Sequence, residues 1–233
     1  MAMTEPYEMD GVSISTTEIS IISGTSSLQN ATTAGVYYPL VDPVQAAMAK
    51  GDRFWFRVYE KVRSASTKRV VYEYDFYNAQ SEPWLFPPMM LLNGFDFTLQ
   101  KAAGTDRNFD ASIRGTVGSG VTEEYTYNVS TSTTELSITG GTSTIQAQTT
   151  GGYRQLFVDA FTMAKGDEFE IALYEKVEGT GGSQRRNVLG RIAGVQSTLW
   201  VSPILPLLNG WDFAIKKIAG TDRTIEASIR KAA

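Results

Sequence analysis

One stretch of 24 residues occurs twice and sets what this chain can become. Residues 91–114 read LLNGFDFTLQKAAGTDRNFDASIR, and residues 207–230 read LLNGWDFAIKKIAGTDRTIEASIR, at a constant offset of 116 with no gap. Whatever the fold, the same segment must close each of two tandem copies. We read the copies as 1–116 and 117–233, joined at about 115–121 by the flexible run Gly115-Thr116-Val117-Gly118-Ser119-Gly120. A copy of that size can bury its own core.

The rest of each copy reads as short strands. TEPYEMDGVSISTTEISI (4–21) pairs with TEEYTYNVSTSTTELSI (122–138), and both alternate polar with apolar residues. SGTSSLQNATTAGVYYPLVD (23–42) pairs with GGTSTIQAQTTGGYRQLFVD (140–159); each suggests a glycine turn, a short polar strand, another turn and an apolar strand. After it, Asp42-Pro43 suits the cap and first position of a helical turn. In AKGDRFWFRVYEKV (49–62) and AKGDEFEIALYEKV (164–177), Lys-Gly-Asp marks a turn. Phe54, Phe56 and Val58 then share one face, as do Phe169, Ile171 and Leu173. Loops 63–68 and 178–185 read as exposed hairpin tips, with return strands at 69–77 and 186–193. The prolines of 80–94 and 196–210 confine those segments to an edge. Asn93-Gly94 and Asn209-Gly210 predict tight turns with positive φ. Asp106-Arg107 and Asp222-Arg223 suggest local ion pairs that fix the Ala-Gly-Thr-Asp turns, so that each copy ends in a self-contained hairpin. The expected fold is all-β: two tandem antiparallel β-sandwich modules, jelly-roll-like.

Composition mainly excludes. There is no cysteine, hence no disulfide framework, thiolate nucleophile or cysteine metal site. There is no histidine, hence no Ser-His-Asp triad and no imidazole base or zinc ligand. A net charge of −4, spread over both copies, argues against nucleic acid as a partner. MAMTEPYEMDG lacks the basic and apolar regions of a signal peptide, and no apolar run is long enough to span a bilayer, so membrane is not an expected partner. No phosphate loop, dinucleotide fingerprint or calcium-loop spacing is present, and no cofactor is expected.

Two residue sets could carry function. Carboxylates repeat at Asp52/Asp167, Glu60/Glu175, Asp96/Asp212 and Asp106/Asp222. A glycosidase needs two such groups flanking one bond, but turn and strand-end positions explain these structurally. No catalytic residue is assigned. The aromatics are more informative. Trp84, Phe86 and Trp200 repeat or flank the edge segment. Trp55 and Arg57 lie on the outward side of their strand, where copy 2 has Glu170 and Ala172, and Tyr37-Tyr38 stand against Arg154-Gln155. Apolar residues on an outward face mark contact with something, either protein or a sugar stacked on the ring. Trp55, Tyr37, Tyr38, Arg57, Trp84, Phe86 and Trp200 are therefore the candidate interface.

Along 151–230, the string GGY..LFVD....AKGD.FEI.LYEKV....QR......Q....WVSP...LNGWDF..KK.AGTDR.I..SIR resembles small head-region structural proteins of tailed bacteriophages, the capsid decoration or cement proteins. Copy 1 shares it from residue 49 onward and departs at 36–48 and 63–79. The resemblance implies a non-enzymatic virion protein made in the bacterial cytoplasm. It would bind the major capsid protein on the outer shell, as a homo-oligomer with a trimer favoured. The alternative class is a carbohydrate-binding module for host-surface adhesion.

Overall fold

Every regular element in the described residues is a strand. The computed structural model describes residues 3–117, 120–176 and 182–232. The chain divides into two compact units, Met1–Val121 and Thr122–Ala233.

In the first unit the strands are β1 (Thr4–Ile14), β2 (Ile19–Ser20), β3 (Gly35–Asp42), β4 (Arg53–Glu60), β5 (Arg69–Tyr77), β6 (Trp84–Leu85), β7 (Met89–Leu91), β8 (Asp96–Ala103) and β9 (Arg107–Val117). They form two antiparallel sheets, ordered β1-β9-β3-β6 with β7 also on β3, and β2-β8-β4-β5. The second unit repeats this with β10 (Thr122–Ser130), β11 (Leu136–Ser137), β12 (Gly152–Asp159), β13 (Glu168–Glu175), β14 (Arg185–Ala193), β15 (Trp200–Val201), β16 (Leu205–Leu207), β17 (Asp212–Ala219) and β18 (Thr224–Ala232). Its sheets run β10-β18-β12-β15, with β16 on β12, and β11-β17-β13-β14. Most connections cross from one sheet to the other; β4–β5 and β13–β14 pair directly with their neighbours in sequence.

Alternation does what the sequence requires of it. Phe54, Phe56 and Val58 are fully buried on β4, and Phe54 lies 4.8 Å from Phe109 of β9 in the other sheet. In the second unit Leu156 and Val158 of β12, Phe169 and Ile171 of β13, and Ile225 and Ile229 of β18 join one core cluster. Removing such apolar surface from water is the main stabilising term.

Several expectations are corrected here. Segments 91–114 and 207–230 are not hairpins. β8 and β9 belong to different sheets, so the Ala-Gly-Thr-Asp turn steps from one sheet to the other. Phe97, Leu99, Phe109 and Ile113 are all fully buried, but on strands of two different sheets. Gly115, Thr116 and Val117 are the end of β9 rather than linker. Residues 118 and 119 of that run, and 178–181 of the second hairpin tip, lie outside the described residues. The short polar strands expected before β3 and β12 are single bridges, Ala31 to Phe95 and Gln148 to Trp211. After Asp42 the expected capped turn does form: Asp42 Oδ1 accepts from the N–H groups of Val44 and Gln45, Ala47 N–H donates to Val44 O at 2.9 Å, and Ala47 takes φ 48°. Gly94 and Gly210 have the expected positive φ, 65° and 55°.

Candidate interaction surface

The repeated carboxylates are each held by structural partners. Asp52 binds the turn that joins β8 to β9. Its Oδ1 accepts from Thr105 N–H at 2.9 Å, and its Oδ2 accepts from Ala49 N–H and from Arg107 Nε, both at 2.8 Å. Asp167 repeats this with Thr221, Ala164 and Arg223. Burial acts upward on the Asp52 carboxyl, but these donors outweigh it and hold the pKa below the usual range. Asp167, with the Thr221 and Ala164 amides first among the causes, is lowered to about 2. The fit leaves no room for a side chain: a Cβ on Gly104 or Gly220 would stand 2.2 Å from the clamping carboxylate oxygen. The expected local pairs are therefore replaced. Arg107 and Arg223 reach back to Asp52 and Asp167, while Asp106 and Asp222 pair with Lys101 and Lys217.

The other repeated acids are engaged as well. Glu60 accepts from Asn93 N–H at 2.6 Å and Glu175 from Leu208 N–H at 3.1 Å, which ties down the Asn93-Gly94 and Asn209-Gly210 turns. Asp96 and Asp212, fully buried, take the N–H of Gln29 and Gln146 at 2.7 Å and so pin the long loops before β3 and β12. Burial outweighs these bonds and raises both carboxyls above their usual range. Lys68 and Gln184, which occupy the same place in the two units, both donate to the carbonyl of that loop residue, Gln29 or Gln146.

Of the candidate interface residues, two belong to the core. Tyr37 is fully buried, its hydroxyl donates to Thr33 O, and its ring packs 4.9 Å from Phe95. Burial pushes its phenol well above the usual range. Gly35 and Gly115 flank the ring so closely that an added Cβ would meet it at 3.2 and 3.0 Å. Phe86 is stacked on Phe56 at 4.3 Å. Neither is available to a partner. The sequence held the warning: Tyr37 has the same parity as Pro39 and Val41, and on a strand that parity is the inward face.

Trp84 and Trp200 are half-buried and pack on strands of the other sheet of their unit. Trp84 lies 4.6 Å from Tyr74 and donates to Gln80, and Trp200 lies against Gly190. Tyr38 is half-buried and pairs in register with Arg114 of β9. Trp55 and Arg57 do face outward, within a web of charges. Arg57 stands 4.6 Å from the Trp55 ring centroid and Arg53 at 5.5 Å. Arg57 also binds Glu18, Glu73 and Gln100, and Arg53 binds Asp75. Tyr59 donates to Glu18, and burial with that carboxylate raises its phenol to about 12. The Trp55 ring is thus already engaged by two guanidinium groups.

The second unit carries the web with its signs moved. Glu170 on β13 is held by Arg186 and Arg191 of β14, and Arg186 also binds Glu135. The Arg186 hydrogen bond leads the causes that hold Glu170 below the usual range. Elsewhere on unit 1 a pocket of about 280 Å³ has Glu5, Glu8, Asp10, Asp42 and Asp110 around it, and no aromatic side chain lines it. Among the described residues no group of three or more carboxylates could hold a metal ion, and no helix is long and apolar enough to cross a membrane.

No family model matches the chain, and no curated protein matches it. Among solved structures it is similar to the PBSX exported protein XepA at 10% identity and TM-score 0.32, over 100% of this chain and 86% of that one. It is similar to N-glycanase F at 11% identity and TM-score 0.33, over 100% and 94%. A third likeness is to the N-terminal CBM22-1-CBM22-2 tandem domain from Paenibacillus barcinonensis Xyn10C, at 8% identity and TM-score 0.27, over 92% and 82%. Likenesses this weak carry no argument about function.

Proposed function

We propose that this chain is a non-enzymatic structural protein of a phage virion, two jelly-roll-like sandwich modules that bind the outer capsid through protein–protein contacts. One observation carries the non-enzymatic part: each repeated carboxylate is held by structural partners. Asp52, Glu60 and Asp96 tie down backbone amides, Asp106 pairs with Lys101, and their counterparts do the same. A pair of acids working on a glycosidic bond would instead face a common open space. The sandwich reading is supported by the strand order. Each unit alternates its chain between a sheet ordered first, ninth, third, sixth and one ordered second, eighth, fourth, fifth, the winding of a jelly roll. The virion role rests on the sequence resemblance over 151–230, with the major capsid protein as partner and a homo-oligomer, a trimer favoured, as the working form.

The test is binding of the purified chain to particles lacking their outer decoration, followed by heating. Saturable binding and a raised disruption temperature are expected. No affinity for any shell would sink the proposal. The carbohydrate reading survives as the alternative, but Trp55 supports it poorly, because a sugar would have to displace two arginines from the ring. A glycan array separates the two.

A further inference from the structure

Two edge strands of equal length close equivalent sheets with opposite charge order. β5 ends the order β2-β8-β4-β5 and β14 ends β11-β17-β13-β14, each nine residues long. In unit 1 the cations Arg53 and Arg57 sit on β4, one strand in, and the anions Glu73 and Asp75 sit on the edge. In unit 2 the anions Glu168 and Glu170 sit on β13, one strand in, and the cations Arg186 and Arg191 sit on the edge. Among the described residues neither edge has a further strand beside it, and an uncovered edge offers a row of backbone donors and acceptors. Each edge also exposes a large apolar side chain on its outward face, Tyr77 at 51% and Val188 at 46%.

We propose that copies of this chain assemble by antiparallel pairing of β5 of one copy with β14 of the next, with Tyr77 opposite Val188 and Asp75 opposite Arg191. The register follows from the outward rows. β5 is regular from Tyr72 to Tyr77, and outward positions on β14 run Val188, then Arg191, because a bulge falls between them. Pairing in this register covers both exposed apolar side chains. It also links the two charge networks across four strands: Asp75, bound diagonally by Arg53, stands opposite Arg191, which pairs in register with Glu170. The same charges select against self-pairing. β5 on β5 sets Glu73 and Asp75 against carboxylates, and β14 on β14 sets arginines against arginines; like charges directly opposite are destabilising. The contact is therefore heterologous, and every chain carries one edge of each kind. Such an interface closes into a ring or grows as a filament. This deepens the reading of the chain as an assembling shell protein, and it can fail independently of it.

The chain has no cysteine, which makes a crosslinking test clean. Tyr77→Cys and Val188→Cys variants are prepared separately, oxidised alone and then mixed. A disulfide-linked pair should form in the mixture and not in either variant alone. Light scattering of the parent chain should show assemblies that dissociate as salt rises. Asp75→Arg or Arg191→Asp should each weaken association about tenfold, and the double exchange in one chain should restore it. A Tyr77→Cys chain that links to itself, an assembled mixture with no link, or a parent chain monomeric at every concentration would each overturn the proposal. Shell binding without the crosslink would remove this interface alone. The crosslink without shell binding would remove the virion role alone.

Discussion

The same end of the core is built in two ways. In unit 1 it is aromatic: Tyr37 packs on Phe95 at 4.9 Å and Tyr7 on Tyr37 at 6.4 Å. In unit 2 the place of Tyr37 is taken by Arg154, fully buried, and that of Phe95 by Trp211. The Arg154 guanidinium lies 4.2 Å from the Trp211 ring centroid, and its Nε and one terminal nitrogen donate to Glu124 at 2.7 and 3.1 Å. Glu124 stands where unit 1 has Pro6, beside the irregularity in the β10–β18 register. This part of the core accepts either an aromatic ring or a guanidinium group of similar size. An arginine satisfies it when one carboxylate neutralises it and one flat ring covers it. The aromatic version needs no counter-charge, only the Thr33 carbonyl that accepts from the Tyr37 hydroxyl.

That contrast predicts the largest effects. Tyr37→Ala removes a buried ring and should destabilise unit 1 by about 3–5 kcal/mol. Arg154→Ala should cost unit 2 a similar amount, about 3–5 kcal/mol, because it leaves Glu124 without its partner. The two versions part at the second substitution. Adding Glu124→Ala to Arg154→Ala should recover part of the loss, whereas no companion change at Pro6 should help Tyr37→Ala. Denaturant unfolding, with hydrogen exchange to assign each unit, reads both; full additivity at Glu124 and Arg154 would break the comparison.

The corner clamps should respond alike in both units. Gly104→Ala and Gly220→Ala place a methyl onto Asp52 or Asp167 at φ values of +87° and +84°, and each should cost more than about 1 kcal/mol. Unequal losses would show that the two clamps carry different loads. Acid tests them next. Asp167 titrates at about 2 in the folded chain, below the unfolded value near 3.9. Its contribution is therefore complete above about pH 4 and is lost as the pH falls toward about 2. Asp212 works in the opposite sense. Burial raises its pKa, so it favours folding below the unfolded value and loses that advantage as the pH rises through the folded one. Asp167→Asn should thus lower unit 2 stability at neutral pH, and its gap to the parent chain should narrow between about pH 4 and 2. A constant gap would remove Asp167 from the acid response.

The smallest effect is expected at Lys68. Gln184 makes the same bond in unit 2, so Lys68→Gln should shift unit 1 stability by no more than about 0.5 kcal/mol. A larger loss would mean that Lys68 also serves as a counter-charge to Asp96, a duty Gln184 cannot share.

The strands and their inward faces were legible in the sequence, because a period of two marks which side chains meet a core. Partnership was not. Phe97, Leu99, Phe109 and Ile113 face inward equally well from one hairpin or from two opposed layers, and alternation cannot tell these apart. The Asp106–Arg107 pairing failed because each charge has another partner: Arg107, the first residue of β9, reaches back to Asp52, and Asp106, the last residue of the turn, pairs with Lys101. The outward web around Trp55 was half visible, since Trp55 and Arg57 stood out against copy 2, but the part played by Glu18 was not. The Glu124–Arg154 pair did leave a signal: two opposite charges appear together in copy 2 where copy 1 has Pro6 and Tyr37.

The clamp of Asp52 on the layer-crossing turn, with its twin at Asp167, has an evolutionary consequence. It lies after β8, while the Tyr37–Phe95 contact lies before β8, so at one end of each unit the step between sheets is held by hydrogen bonds from backbone amides. At the other end, where Glu60 and Asp96 tie down the turn and loop, the contents of the core differ between the copies. After duplication the two copies could explore different interiors and different edge charges while the corner held each of them to the same shape.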